Sequence, residues 1–326
     1  MDVADIPVPA ALAGLRRVPL DGVLLLFDRR TGLTALCDGP ETAHLRQRAP
    51  RVVQFAITNA CNLACTFCSR DLDAASGWTA DDAFATLAAL ADAGTVEVAF
   101  GGGEPLVFRG FAALARRLHA ETPLAVSVTS NGTRLDDAMI DALAPSLAQL
   151  RISIYDDVDH RPILRRAAGR LRLGVNWLVT PARLDRVEAT VLALYELGVR
   201  DVLLLSYNGV DRGLHLRADQ AADLAARVRA LAVALRGRVQ LKLDVCWGER
   251  VEAVPRLLDG PCPAGRDFVV LTSDRRLAPC SFHHASWPVR DAADVLRVWD
   301  AQRAALAAPA RDPGCARRAD YGLGGG

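Results

Sequence analysis

Three cysteines, Cys61, Cys65 and Cys68, lie within eight residues of this chain in the spacing C-x3-C-x2-C. The apolar run Val52–Thr58 before them indicates a buried strand, so the cysteines occupy the loop that follows it. Three thiols are an odd number for disulfide pairing, and nothing in the sequence marks the chain as secreted. Thiolates are soft ligands that suit zinc, copper(I) or an iron–sulfur cluster. The loop is therefore a candidate soft-metal or cluster site.

The residues around this loop bear on which metal centre it would hold. A structural zinc site is closed by four ligands, yet no histidine lies between Cys61 and His119. A four-iron cluster held by three cysteines leaves one iron open for a small molecule to chelate. The local sequence favours such a cluster, and a zinc loop beside an unrelated glycine turn is the alternative.

The cysteine spacing, with the aromatic Phe67 just before the last cysteine, resembles the radical S-adenosylmethionine (radical SAM) superfamily. The second marker of that family is GGEP, here residues 102–105, which follows the apolar strand 96–100. The resemblance implies that the three cysteines hold a 4Fe–4S cluster whose open iron takes the amino and carboxylate groups of SAM.

The resemblance also implies SAM contacts at strand ends. The glycine-rich turn would contact the SAM amino group, and the third strand would run beneath SAM. The fourth strand would reach the carboxylate or ribose, and the adenine would rest near the aromatic residue of the cysteine motif. The positions concerned are Phe67, Gly102, Gly103, Glu104, Pro105, Thr129, Asn131 and Ser153.

The rest of the pattern predicts an α/β fold. Short apolar strands alternate with amphipathic helical stretches, which indicates right-handed βαβ units and a parallel sheet. Six units predict a partial (β/α)6 TIM-type barrel, whose chemistry belongs at the carboxyl ends of the strands. A further strand over 239–245 ends the barrel unit. The six strands are predicted at 52–58, 96–100, 124–129, 150–154, 174–179 and 201–206.

Three domains are predicted: an N-terminal hairpin extension (1–50), the barrel (51–240) and a small C-terminal β-hairpin/helix domain (241–326). In the extension, the apolar runs 22–27 and 33–36 flank a Gly-bearing turn, a hairpin pattern. Such a hairpin either recognises substrate or simply caps the barrel bottom, and its small size favours the cap.

Four more cysteines follow the barrel: Cys246, Cys262, Cys280 and Cys315. Two of them flank a β-hairpin pattern, and residues 246–316 resemble the twitch domain, the shorter relative of the SPASM domain. This resemblance implies one auxiliary 4Fe–4S cluster. Cys246 is the least certain ligand, and without it one iron is open, or His283 or His284 intervenes. The alternative is a set of dispersed buried thiols, as Cys37 is predicted to be.

Composition excludes several classes of function. The net charge of +1 and scattered arginines give no electrostatic footprint for nucleic acid. Pyridoxal phosphate chemistry needs a Schiff-base lysine, and Lys242 is the only lysine. No apolar stretch approaches the roughly 20 residues that span a membrane. Eight cysteines without a secretion signal fit a reducing cytoplasm.

The implied function is that of a radical SAM oxidoreductase or maturase. It would cleave SAM reductively to a 5′-deoxyadenosyl radical and abstract a hydrogen atom from a precursor peptide or a small molecule. The auxiliary cluster would take the substrate electron or bind substrate, and a flavodoxin- or ferredoxin-type protein would donate electrons. Tyr155, Tyr207, Asp211 and His215 are candidates for proton transfer, each also explicable as structural. The alternative is a non-catalytic iron–sulfur sensor of redox state or iron.

Overall fold

The computed structural model describes residues 2–68, 70–71, 73–209, 211–251, 262–283 and 285–306. The N-terminal unit is a three-stranded antiparallel sheet in the order β1-β2-β3. Its strands are β1 Arg16–Pro19, β2 Val23–Phe27 and β3 Thr34–Asp38, preceded by the 3-10 turns Val3–Asp5 and Ala10–Leu12. The predicted hairpin is confirmed as the pair β2–β3. Arg16 joins this unit to the rest of the fold by donating to the carbonyls of Ala91 and Thr95.

A larger sheet carries seven described parallel strands in chain order. They are β4 Val52–Thr58, β5 Glu97–Gly102, β6 Ala125–Ser130, β7 Gln149–Ile154, β8 Leu173–Leu178, β9 Asp201–Leu205 and β10 Gln240–Leu243. Each strand after β4 pairs with the strand before it, as successive βαβ units require. The predicted α/β partial barrel is confirmed, with β10 as the strand that ends it.

Helices connect the strands and cover the sheet. They are α1 Ala80–Ala93, α2 Phe111–Glu121, α3 Asp137–Leu143, α4 Arg161–Ala167, α5 Val187–Glu196, α6 Ala218–Leu235, α7 Ala292–Ala301 and α8 Arg303–Leu306. Four 3-10 turns complete the connections: Pro105–Val107, Pro181–Arg186, Arg212–Leu214 and Val245–Arg250. Helix α1 begins where Thr79 Oγ1 accepts from the Asp82 amide, and it ends at Gly94, whose φ of 125° disfavours other residues. None of the described helices is both long and apolar enough to cross a membrane.

The core lies between sheet and helices. Phe55 on β4 stacks on Phe100 of β5 at 5.6 Å between ring centroids, and its edge meets Trp78 at 4.8 Å. Both phenylalanines are 1% exposed, and burying such a ring contributes about 1.5–3 kcal/mol. This packing fixes the direction in which β4 and β5 deliver the loops that follow them.

The C-terminal hairpin consists of β11 Phe268–Leu271 and β12 Arg276–Ala278, and β13 Trp287–Pro288 pairs with β12. The predicted hairpin is confirmed, but its point of attachment was not predicted. Strand β11 pairs in parallel with β4, so the hairpin extends the barrel sheet at its open edge. Arg51 and Asp267 hold this junction with bonds of 2.5 and 2.6 Å. The boundaries of the three domains stay predictions.

Candidate functional site

The three motif cysteines lie in the loop after β4. Cys61 and Cys65 are half-buried, Cys68 is exposed, and none of the three forms a disulfide. Burial and the negative charges of Cys68 and Cys61 raise the pKa of the Cys65 thiol. The three sulfurs are thus close enough to repel one another as thiolates. A bound cation would offset this repulsion, because its positive charge stabilises the thiolates, whose protons are lost to solvent.

This loop fits an iron–sulfur cluster better than a single ion. Among the described residues, no three His, Cys, Asp or Glu side chains converge closely enough to hold one metal ion. A four-iron cluster is larger and is ligated at separate corners by thiolates. The soft donor set therefore fits the group that the motif implies, and the assignment of Cys61, Cys65 and Cys68 as its ligands stays a prediction.

The end of β5 packs directly against the chain that leads into Cys61. The Gly103 amide donates to the Thr58 carbonyl at 2.8 Å, and the Glu104 amide donates to the Ala60 carbonyl at 2.8 Å. A Cβ atom added to Gly103 would lie 2.1 Å from the Ala60 oxygen. A Cβ atom added to Gly102, whose φ is 107°, would lie 2.6 Å from the Thr58 oxygen. The two glycines therefore allow the GGEP turn to support the cysteine loop.

Glu104 connects the ends of β5 and β6. It is 1% exposed, and its carboxylate accepts from the Leu106 amide at 3.0 Å, the Ser130 hydroxyl at 2.8 Å and the Asn131 amide at 2.7 Å. Burial raises the pKa of this carboxyl, and the three donors oppose the shift. Its oxygens serve protein donors, so the structure gives Glu104 a positioning role. Its expected contact with SAM stays a prediction.

Replacing Glu104 with glutamine should lower the free energy of unfolding by about 1–3 kcal/mol, because the new NH2 group must face one of three buried donors. Chemical denaturation of the purified protein measures this effect. Glu121→Gln, on the exposed end of α2 beside Arg117, is the matched control and should change stability by about 0.5 kcal/mol or less. Equal stability of the two variants would contradict the role assigned to Glu104.

Asn131 joins the end of β6 to the cysteine loop. Its side-chain amide donates to Asn62 Oδ1 at 2.9 Å and lies 4.0 Å from Cys61 Sγ. Asn62 in turn donates to Thr133 Oγ1 at 2.7 Å, and Thr133 donates back to Asn131 Oδ1. Sequence reasoning missed Asn62, although its place directly after the first cysteine was a usable signal. The network orients the loop from the strand that was expected to run beneath SAM.

Aromatic rings cover the other side of the cysteine loop. Tyr155, just beyond β7, lies 5.7 Å from the Phe67 ring and 5.8 Å from the His160 ring. Its hydroxyl interacts with the side chains of Ser153 and Cys65, and burial raises its pKa. Thr129 is half-buried near the end of β6. Phe67 lies within the cysteine loop and Ser153 interacts with Tyr155, but the SAM contacts of these residues, of Thr129 and of Pro105 stay predictions.

A cavity of about 470 Å³ opens beside the cysteine loop at the carboxyl ends of β8 and β9. Its lining residues are Thr66, Phe67, Cys68, Leu178, Leu205, Ser206, Tyr207, Asn208, Gly209, Ser281, Phe282 and His283. A second hollow, of about 510 Å³, lies at the amino ends of β8, β9 and β10, away from the cysteines. The first cavity is the candidate substrate site because chemistry in such barrels takes place at the carboxyl ends of the strands.

The predicted proton-transfer candidates of the β9 loop lie beside this cavity. Tyr207 lines it and meets the His215 ring at 4.9 Å. His215 Nε2 is 2.8 Å from the Gly209 carbonyl, and the Asp211 amide is 3.4 Å from the Tyr207 hydroxyl. These contacts shape the loop, and a catalytic role for any of the three stays a prediction.

The later cysteines are only partly described. Cys246 follows β10, Cys262 precedes β11, Cys280 follows β12, and all three are half-buried. Cys315 and His284 lie outside the described residues. The residues directly after Cys280 line the same cavity as Cys68. The ligands of the auxiliary cluster therefore stay a prediction. The segment after Cys280 and the loop that carries Cys68 nevertheless line the same cavity.

Residues 55–210 match the family model of the radical SAM superfamily, so this part of the chain is a radical SAM domain. A probable GTP 3′,8-cyclase of Methanothermobacter marburgensis is 24% identical over 154 residues, which is 44% of this chain and 50% of that protein. A GTP 3′,8-cyclase of Streptomyces coelicolor is 27% identical over 289 residues, covering 76% of this chain and 84% of the relative. The chain thus spans half the length of the first relative and most of the second.

The fold is similar to that of Streptococcus suis SuiB bound to its precursor peptide SuiA. The TM-score is 0.65 at 16% identity, over 77% of this chain and 65% of SuiB. At this identity the likeness concerns the fold. The radical SAM family implies a 4Fe–4S cluster and SAM, which agrees with the donor set of the cysteine loop.

Proposed function

We propose that this protein is a radical SAM enzyme that abstracts a hydrogen atom from a substrate held in the cavity beside Cys68. The bound cluster and SAM supply the 5′-deoxyadenosyl radical when an electron arrives, and a flavodoxin- or ferredoxin-type protein is the expected donor. The chain's own residues hold and orient these groups and exclude water, as is usual where a cofactor carries the difficult step. A radical reaction of this kind needs no Ser-His-Asp triad.

The observation that carries the proposal is the position of the cavity. Thr66, Phe67 and Cys68 form one wall, and Ser281, Phe282 and His283 form another. A substrate in this space would contact both the loop of the SAM-binding cluster and the segment that begins at Cys280. We infer that the later cysteines bind an auxiliary 4Fe–4S cluster, with Cys262, Cys280 and Cys315 as ligands and Cys246 as a fourth.

A second cluster would account for the electron that hydrogen-atom abstraction leaves on the substrate. Removing a hydrogen atom leaves a substrate radical, and loss of one more electron gives an oxidised, stable product. An auxiliary cluster beside the cavity would accept that electron or ligate the substrate. The substrate class is either a peptide or a small molecule: the relatives are named for GTP, whereas SuiB is known bound to a precursor peptide.

Replacing Cys280 with alanine tests the auxiliary cluster. We expect the iron content of anaerobically reconstituted protein to fall from roughly eight to roughly four per chain, because one of two four-iron clusters is lost. Product formation should stop while part of the SAM cleavage remains. Iron analysis, electron paramagnetic resonance and 5′-deoxyadenosine measurement give the three readouts. An unchanged iron content of roughly four in both the parent and the variant would contradict the second cluster.

A further inference from the structure

Asn208 has one end of its amide fixed by the protein. It lies beyond β9, lines the cavity and is 4% exposed. Its Nδ2 donates to the carbonyl oxygen and to the hydroxyl oxygen of Ser206, each at 3.2 Å. A carbonyl oxygen can only accept, so the NH2 group must face Ser206 and the amide cannot turn over.

Ser206 is itself held from the neighbouring strand. Its amide donates to Asp244 Oδ2 at 2.9 Å, and its hydroxyl donates to Asp244 Oδ1 at 3.2 Å. Because that hydroxyl proton is committed to the carboxylate, its oxygen is left to accept from Asn208. The chain of bonds from Asp244 through Ser206 therefore sets the orientation of the Asn208 side chain.

The oxygen of the Asn208 side chain, Oδ1, lies at the other end of this amide. Asn208 Oδ1 is buried and has no hydrogen-bond partner among the described residues. Buried side-chain oxygens are nearly always paired, and an exception calls for a ligand or another explanation. A group with an N–H donor, placed in the cavity that Asn208 lines, would satisfy this oxygen.

The lining of the cavity restricts what that group is. None of the described residues that line it is Asp, Glu, Lys or Arg. The nearby Arg183, 5.9 Å from the Phe67 ring, already donates to Asp156 and to the Leu178 carbonyl. A triphosphate needs several cationic or N–H donors when it is removed from water. The walls instead offer aromatic and aliphatic surface, from Phe282 and Leu205 among others.

We infer, on the basis of the proposed function, that the cavity takes an uncharged, amide-bearing part of the substrate, a peptide segment, and that Asn208 Oδ1 accepts a hydrogen bond from its N–H. Asn208 is then a specificity-determining residue, and the substrate class differs from the GTP for which the relatives are named.

Affinity selection on the reconstituted holoprotein with SAM tests this inference. The protein is dialysed against a pool of short peptides with blocked termini and uncharged side chains, or against GTP, and the retained probe is measured by mass spectrometry. We expect peptides to be retained in preference to GTP. Asn208→Ala should lower peptide retention about tenfold, the loss expected for one buried hydrogen bond. Asn208→Leu keeps the branched shape and should give the same loss.

Asn176→Ala is the matched control. Asn176 is a buried asparagine of β8 whose Oδ1 already accepts from Arg151 at 2.6 Å, and it is not among the residues that line the cavity. It should retain peptides as the parent does, and iron content verifies that each variant is folded and loaded. Preferential retention of GTP, or equal peptide retention by the parent and both Asn208 variants, overturns the inference.

Two further measurements in the same samples separate the possible failures. Weaker SAM binding by the Asn208 variants with unchanged peptide retention would assign Oδ1 to SAM and overturn the inference. If the parent forms 5′-deoxyadenosine, the proposed function stands whichever probe is retained. If a loaded parent forms none, the proposed function itself fails.

Discussion

Cys65→Ala protein, reconstituted anaerobically with iron and sulfide, should form no 5′-deoxyadenosine above background. Cys65 is the middle thiol of the C-x3-C-x2-C motif, and burial together with the charges of Cys68 and Cys61 raises its pKa, as expected for one of three neighbouring thiols. Removing it leaves two thiolates where a cluster with one open iron needs three. The loss should exceed the roughly 10–100-fold cost of losing an outer-shell partner of a metal site.

The matched control is Cys37→Ala. Cys37 is half-buried on β3 of the N-terminal unit, far from the motif in sequence, and packs beside Leu24 and Leu26. Its replacement should leave SAM cleavage unchanged. Comparable cleavage by Cys65→Ala and the parent, at equal iron content, would contradict the ligand set. Cys61→Ala and Cys68→Ala should behave as Cys65→Ala does.

Gly103→Ala should disrupt the cysteine loop from the end of β5, which packs against that loop. The added Cβ would lie 2.1 Å from the Ala60 oxygen and 2.7 Å from the Asn59 oxygen, both of which are backbone atoms. Because no flexible side chain can move aside, the cysteine loop or the end of β5 must shift. Such overpacking costs typically 1–3 kcal/mol of unfolding free energy, and more where backbone is involved. We expect a lower melting temperature together with poor cluster loading.

Gly101→Ala is the control for this prediction. Gly101 lies two residues earlier, within β5, and an added Cβ there meets nothing within 4 Å. It should melt within a few degrees of the parent and load iron normally. Thermal unfolding and iron analysis of the two variants side by side give the comparison. Identical behaviour of Gly101→Ala and Gly103→Ala would show that the close approach to the cysteine loop has no consequence.

Local patterns predicted most of the barrel. Runs such as Val52–Thr58 are apolar enough to be recognised as buried strands, and Gly94 marks the end of α1 because a φ of 125° suits glycine. The cysteine spacing and the GGEP turn predicted a candidate site at the ends of two strands, and the structure packs these two segments against each other. Each of these features is set by residues close together in the sequence. Hydrophobic periodicity and the types of the turn residues are therefore enough to predict it.

Contacts between residues that are far apart in the sequence were not predictable in this way. The pairing of β11 with β4 joins residues more than 200 positions apart, and nothing in either strand specifies the other. The three protein donors to the Glu104 carboxylate were not predictable either, because they depend on how the ends of β5 and β6 are placed; the contact of Glu104 with SAM stays a prediction. The position of Asn208 in the polar turn after a strand was visible in the sequence, but the orientation of its side chain was not, because Ser206 and Asp244 set it.

The central claim is that the loop of Cys61, Cys65 and Cys68 supports reductive cleavage of SAM. The most direct measurement is to reduce the reconstituted protein with dithionite, add SAM without air, and quantify 5′-deoxyadenosine and methionine. We predict both products in equal amounts, formed by the parent and absent in Cys65→Ala. An intact, reduced 4Fe–4S cluster that forms no 5′-deoxyadenosine would contradict the claim and favour a non-catalytic iron–sulfur sensor.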